Sequence, residues 1–345
     1  MSSSLLAPAY ALNVGSQGFT KQLLAVDLEL LAAPLLDHLV VRLPAAAPLD
    51  AAVGDPVTLS LDGGEGAGAV FTGVVSCIRR DASTTTVAAL DAGGALAALR
   101  PATTYEQASA GTVIAALCAD AGVETGSIED GPALTFYVAD PGRSALEHVA
   151  RLAGWAGALA AVNGEGALDV KVVVGVDPEV ALRYGREVLD LEGIETAGPV
   201  TSFVVAGESA AGDAAQPESL RPTRDFFGGS RPDGPSRTAL WSWEPALRTP
   251  AAASTASSAL TRQYRSSRSR ALLHALLVPQ LRPGTVLEIQ DVPSGLPAGP
   301  FWIDRVSHSL SASGAYTRAR LSAGGHALDP SGLLGSLAGA VKGLL

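Results

Sequence analysis

This chain of 345 residues has two cysteines, one methionine and only three lysines, Lys21, Lys171 and Lys342. Two thiols are too few to staple a disulfide scaffold. Cys118 falls in a helical pattern and Cys77 in a strand pattern, so both are expected as reduced, buried small hydrophobes. Aromatic residues make up 5%, so any core must be built from aliphatic and small side chains, which suits thin sheets. Positive charge is also short. Lys and Arg total 24 against 34 Asp and Glu, for a net charge of −10. That balance argues against broad nucleic-acid binding, which needs a cationic surface to neutralise phosphates. No uninterrupted apolar run reaches the roughly 18 residues of a membrane span. The opening Met1, Ser2, Ser3 and Ser4 lack the cationic start of a secretion signal, so a cytoplasmic protein without membrane insertion is expected.

What is present is a folded chain. Apolar residues reach 47% and charged ones 17%, enough for two or three domains with sizeable cores. Residues 1–22 are weakly patterned and read as a lead-in. Leu23–Ala33 and His38–Leu43 read as strands bounded by Pro34 and Pro44. Val57, Leu59 and Leu61 share one face of a further strand. Gly63–Gly68 reads as a hairpin tip joining it to a long antiparallel pair, Ala69–Arg80 and Thr84–Ala92.

The period then changes from 2 to 3.6. Ser109–Gly122 reads as a helix with Val113, Leu117 and Ala121 on one stripe and Gly122 beyond its end. Asp140 and Pro141 read as the cap and first turn of a second helix running to about Gly157, with Leu146, Val149, Ala153 and Ala156 as its stripe. Short strands flank the two helices at Leu134–Ala139, Ala158–Val162 and Ala167–Val174. Val188–Ile194 and Val200–Gly207 read as strands again. Glu208–Pro250 is rich in Gly, Pro and Ser and reads as a long insertion, part of which must pack because it holds Trp241 and Trp243. Thr249–Ser269 reads as a helix leading into the strand Arg270–Val278. No repeat of fixed short period is visible.

Chemistry-bearing motifs are missing. Gly63–Gly68 lacks the Lys-Ser/Thr that ends a phosphate loop and has no helix after it. The stretch Gly207–Gly212 misses a nucleophile elbow by one residue and has no histidine to serve Ser209. His148 beside Glu147 and Arg151 is not a zinc-binding pattern. His308 is expected to be packed and hydrogen-bonded, and no second His or Cys stands at metal spacing. No cofactor, metal or catalytic residue is therefore assigned.

Two segments stand out as partner-interface candidates. Arg262, Arg265, Arg268 and Arg270 lie within nine residues of an otherwise acidic chain, either as a solvated helix face or as an electrostatic contact with an acidic neighbouring subunit. Leu333, Leu334, Leu337, Val341 and Leu344 line one face of a glycine-rich tail that would be marginal as a free helix, so it should pack on its own domain, on copies of itself or, the favoured reading, on a partner.

The closing strands carry a resemblance. Leu281–Gly284 is a turn, Thr285–Asp291 alternates with Leu287 and Ile289 on one face and Val286, Glu288 and Gln290 on the other, and Phe301–Leu310 turns at Ser311–Gly314 into Tyr316–Leu321. On the returning strand Thr317, Ala319 and Leu321 face one way and Arg318 and Arg320 the other. This pattern resembles the C-terminal barrel of phage tail hub proteins, the family of late control protein D and of the hub half of VgrG-type spikes in contractile injection systems. Phe71, Gly73 and Val75 resemble a strand of that family's first barrel. The segment from Tyr105 through Ser109–Ile114 and Ala121–Val123 to Ala145–Ala153 resembles its peripheral domain.

The resemblance covers about residues 23–325, thinly over 208–260. It implies an α+β protein with two tube-like antiparallel β-barrel domains, an intervening small α/β domain and a C-terminal tail helix. The divisions expected are 1–102, 103–185, 186–325 with an insertion at about 208–268, and 326–345. It further implies a non-enzymatic baseplate hub. Three copies would form a ring of six barrels, a homotrimer matching a hexameric inner tube protein on one side and a trimeric spike on the other. A VgrG-type chain continues into a needle and this one does not, so a separate spike protein and other baseplate proteins are the expected partners. A hydrolase with a β-rich scaffold, or a carbohydrate- or surface-binding module using Trp241 and Trp243, are the alternatives.

Overall fold

A computed structural model describes residues 8–64, 66–196, 202–207 and 239–324. The first seven strands are β1 (Ala9–Val14), β2 (Gln17–Phe19), β3 (Ala25–Leu31), β4 (His38–Pro44), β5 (Pro56–Asp62), β6 (Gly68–Arg80) and β7 (Thr84–Asp91). Each alternates, and one face is core: Val26, Leu28 and Leu30 on β3, Leu39, Val41 and Leu43 on β4, and Val57, Leu59 and Leu61 on β5 are all buried. The expected lead-in needs correction. Residues 9–19 form the hairpin β1–β2, and β1 pairs with β5 along its whole length. Leu12, Val14 and Phe19 enter the core, a short alternation that residues 1–22 read as a whole had hidden.

A helical unit follows: α1 (Gly93–Ala98), β8 (Thr103–Ser109), α2 (Ala110–Ala121), β9 (Thr125–Ile128), β10 (Ala133–Ala139), α3 (Ala145–Ala156), β11 (Ala158–Val162) and β12 (Leu168–Val172). The Ser109 hydroxyl accepts from the amide of Thr112 to open α2, and Gly122 closes it in the left-handed region at φ 68°. The second helix begins later than Asp140-Pro141 suggested. Ser144 is its cap, and a reciprocal pair of bonds with Glu147 satisfies two free amides at once. Asp140 instead closes a turn onto the amide of Gly142.

The remaining elements are β13 (Val180–Arg183), β14 (Val188–Glu195), β15 (Ser202–Ala206), β16 (Ala239–Trp243), α4 (Pro250–Ser266), β17 (Ser269–Leu276), β18 (Val286–Gln290), β19 (Phe301–Ser311) and β20 (Gly314–Ala323). Strands β15 and β16 form a parallel pair. One edge of the pair is closed by α4, whose Ser257 and Thr261 hydroxyls accept from the amides of Val205 and Phe203, both at 2.8 Å. Leu247, Ala252 and Ala256 carry this segment into the core of the helical unit. Trp241 and Trp243 nonetheless stay more than half exposed. Strand β18 starts with both faces covered, because Val286 packs with Val173 and Trp302 while Leu287 enters the main core.

Strands β1–β7, β13, β14 and β17–β20 make one curled, almost wholly antiparallel sheet of thirteen strands. It contains a repeat. Counted in chain order, β1, β3, β4, β5, β6 and β7 pair as first, fourth, fifth, sixth, third, second. Strands β13, β14, β17, β18, β19 and β20 pair in the same order. The one difference in sense is that β1–β5 is antiparallel and β13–β18 parallel. The repeat extends to irregularities. The ladder slips between Val75 and Cys77 in β6–β7, and between Ile303 and Arg305 in β19–β20. Just before each fourth strand a glycine at positive φ (Gly54 at 96°, Gly284 at 88°) donates to the carbonyl preceding the slip, Val75 at 2.8 Å and Ile303 at 2.9 Å. The slip also corrects the expectation for Cys77: one extra residue reverses the alternation, so the thiol lies exposed rather than in the core.

Candidate functional site

Among the described residues the buried polar groups are satisfied in ways that leave little for chemistry. His148 is fully buried, with Nε2–H donating to the Asp140 carbonyl at 3.0 Å and Nδ1 accepting from the Tyr137 hydroxyl at 2.6 Å. Burial pushes the Tyr137 phenol up to about 12. His308 is held likewise between the Leu281 carbonyl (3.1 Å) and the Thr317 hydroxyl (2.9 Å), as its strand pattern implied, and burial pushes it down to about 4. Burial pushes the Cys118 thiol up to about 11, away from reactive thiolate. A cleft of about 420 Å³ in the helical unit is lined by Phe136, Asp140, Arg143, Arg151, Trp243 and Arg248, but its acid Asp140 is engaged by Arg143, and its Arg151 by Glu244. No group of three His, Cys, Asp or Glu side chains that could hold a metal ion occurs among the described residues.

The feature that can act at large scale is the sheet itself. Its non-core face carries cross-strand rows that run through both halves of the repeat. One row reads Asp190, His274, Arg318, Ser307, Glu29, His38, Leu90, Val74 from β14 to β6. The halves meet where β19 changes partner. Phe301 and Trp302 pair with β18, and after the slip Arg305–Ser311 pair with β3. This seam is held electrostatically on the polar face. Glu29 bridges Arg305 across it and His38 along it, the latter at 3.2 Å, while Arg320 holds Asp304 at 2.8 Å. Exposed pairs of this kind contribute at most about 1 kcal/mol each, so they set register more than stability.

Besides the outer sides of the short strands β2 and β13, two longer stretches of the main sheet's edge remain open among the described residues. Beyond Val75, β6 pairs only with β7. Strand β14 pairs only with β17, apart from a single bridge from Val188 to Tyr184. Open edges of this length template association with another chain unless they are covered.

The arginines singled out from the sequence lie beside the second edge. Arg262 and Arg265 are exposed near the end of α4 and Arg270 is exposed on β17, directly opposite Ile194 of β14. Arg268 turns back, its Nε donating to the Thr196 carbonyl at 3.1 Å. Leu333, Leu334, Leu337, Val341 and Leu344 lie outside the described residues, as does Ser209. A ring of subunits implies open edges, but which strands carry them was not legible in the sequence, because an edge is defined by the lack of a neighbour and leaves no mark in a strand's own pattern.

No family model matches the sequence, and no curated protein is similar to it. Solved structures are. The 43 kDa tail protein of prophage MuSo2 from Shewanella oneidensis aligns with a TM-score of 0.66 at 16% identity, covering 92% of this chain and 98% of that one. The tail protein from Neisseria meningitidis MC58 gives 0.67 at 14%, covering 92% and 96%. An Escherichia coli component of the type VI secretion system, itself structurally similar to the T4 bacteriophage tail proteins gp27 and gp5, gives 0.59 at 10%, covering 91% and 76%. No helix among the described residues is long and apolar enough to cross a membrane. With its curled sheet aligned along nearly its whole length to tail proteins, the chain has the fold of the phage-tail hub family that its closing strands resembled.

Proposed function

We propose that this protein is a structural hub of a phage-tail-like contractile particle, a homotrimer that adapts a hexameric inner tube to a trimeric spike, and not an enzyme. The observation that carries this reading is the repeat within the sheet. Two strand groups with the same pairing order, the same ladder slip and the same glycine entry sit side by side in one chain. Three copies would present six such groups, which is what a junction between sixfold and threefold symmetry requires. On this reading residues 1–102 and about 180–325 are the two hub domains, the second taking in β13, about 103–179 with the insertion at about 208–268 is peripheral, and 326–345 is the segment that reaches the spike. The cluster Arg262, Arg265, Arg268 and Arg270 then faces a neighbouring subunit or another baseplate protein, supported by the exposure of Arg262, Arg265 and Arg270.

Mass measurement on the purified chain tests the reading. Particles of three times 34.8 kDa are expected, and a monomer at micromolar concentration would remove it. A surface- or carbohydrate-binding module is the second reading, favoured by the half-exposed Trp241 and Trp243. It expects a monomer whose melting temperature rises with an oligosaccharide ligand.

A further inference from the structure

The two open edges correspond to the two sides of the seam already closed inside the chain. The pairing registers fix the correspondence. Val26, Val41, Val87 and Ile78 form one cross-strand row in the first half, and Leu191, Leu273, Ala319 and Val306 form the equivalent row in the second. Counted from these rows, Cys77, Ile78, Arg79 and Arg80 on β6 stand where Arg305, Val306, Ser307 and His308 stand on β19. Glu192, Gly193, Ile194, Glu195 and Thr196 on or just after β14 stand where Asp27, Leu28, Glu29, Leu30 and Leu31 stand on β3. In the second half of β19 the equivalent residues are paired: Arg305 with Leu31, Val306 with Leu30, Ser307 with Glu29 and His308 with Leu28. The matching stretch of β6 and the matching side of β14 have no partner strand among the described residues.

We propose that the end of β6 in one copy adds antiparallel to β14 of the next copy of this chain, in the register Cys77–Thr196, Ile78–Glu195, Arg79–Ile194 and Arg80–Gly193. This rests on the ring reading above and specifies its contact. The two edges differ, so the contact is head-to-tail. Repeating the internal step between copies gives six equivalent steps in a ring of three. The charges agree with the register. Arg79 lies diagonal to Glu192 on the polar face, and Arg80 lies diagonal to Glu195 on the other, both within reach of long side chains across a ladder. None of the four makes an ion pair among the described residues, and all are exposed. Inside the chain Arg305 and Glu29 pair on a diagonal of the same sense as Arg79 and Glu192, two residues away along the ladder. Oppositely charged edges steer the two strands together and penalise the reverse pairing of like edges.

The register offers a direct test, because it sets the native, exposed Cys77 opposite Thr196 of the neighbour. Thr196→Cys, oxidised at micromolar concentration, should give covalent species up to three chain masses on a non-reducing gel. Adding Cys77→Ser to the same chain should abolish them, and buried Cys118 should contribute none. A charge swap checks the register without new thiols. Arg79→Glu with Arg80→Glu should cut the assembled fraction at least tenfold, and adding Glu192→Arg with Glu195→Arg should restore it. A wild-type trimer in which Thr196→Cys gives no more cross-link than the Cys77→Ser control, and in which the swap changes nothing, would overturn this contact and leave the ring intact. A wild-type monomer would overturn both.

Discussion

Asp91, at the end of β7, should make this protein less stable as the solution is made less acidic, by an amount the structure allows to be worked out. Its side chain is nearly fully buried, and Oδ1 meets no donor in hydrogen-bond geometry. Burial pushes its carboxyl up to about 7, partly offset by the amides of Gly93, Asp91 and Asp37. Asp37 beside it is also raised, by burial first and by Asp91 second. Below about pH 4 both the folded and the unfolded chain hold the proton, and Asp91 has no effect on the balance. Between 4 and 7 the unfolded chain ionises freely and the folded one does not, so stability falls by about 1.4 kcal/mol per pH unit. The total is about 4 kcal/mol, reached near pH 7 and constant above it. Asp91→Asn keeps the shape of the protonated acid and removes the titration. Urea unfolding of wild type and variant at equal protein concentration, at pH 4.5, 6 and 8, should show the variant gaining on wild type by several kcal/mol across the series. Taking the difference is essential because His308 titrates in the opposite direction over the same range. A difference that stays flat from pH 4.5 to 8 would refute the argument that this acid is buried and uncompensated.

Other outcomes follow from single contacts. The His308 imidazole, pushed down to about 4, should remain neutral through pH 5 in an NMR titration. Its contribution, about 3 kcal/mol, is present above the ordinary value near 6.5 and lost as pH falls from there towards 4, and a midpoint near 6.5 would contradict the burial argument. Ser144→Ala removes the hydroxyl that accepts from the Glu147 amide, while the residue-144 amide can still donate to the Glu147 carboxylate, and should cost about 1 kcal/mol in a thermal melt. Gly164→Ala would drive a methyl group into the Ala69 carbonyl and towards the Arg282 guanidinium, where the Thr72 hydroxyl also bonds the Gly164 carbonyl at 2.8 Å. That wedge between helical unit and sheet should lower the urea midpoint by an amount corresponding to about 1–3 kcal/mol, and an unchanged midpoint would mean that the loop yields.

Much of the local structure was legible because its causes are local. Alternation placed β5, β18 and β20 with their inward faces, and the glycine after α2 marked its end, since side-chain period and left-handed caps depend only on near neighbours in the chain. Errors arose where a short-range competitor decided the outcome. Asp140-Pro141 carries a cap signature, but Ser144 with Glu147 satisfies two amides and wins. Cys77 obeyed the strand pattern until one extra residue in the ladder reversed its face.

The amino-acid order by itself determined most of the longer elements, the acidic, lysine-poor composition, the packing of His308 and the resemblance that the aligned tail proteins support. The repeat within the sheet, the seam at β19 and the two open edges were decided only in three dimensions. Strand pairing depends on which backbone edges meet, and the two halves keep the same pairing with different side chains: Val26, Val41 and Val87 in one, Leu191, Leu273 and Ala319 in the other. Main-chain hydrogen bonds are indifferent to those identities, so a duplicated geometry outlasts any visible likeness between the residues that build it.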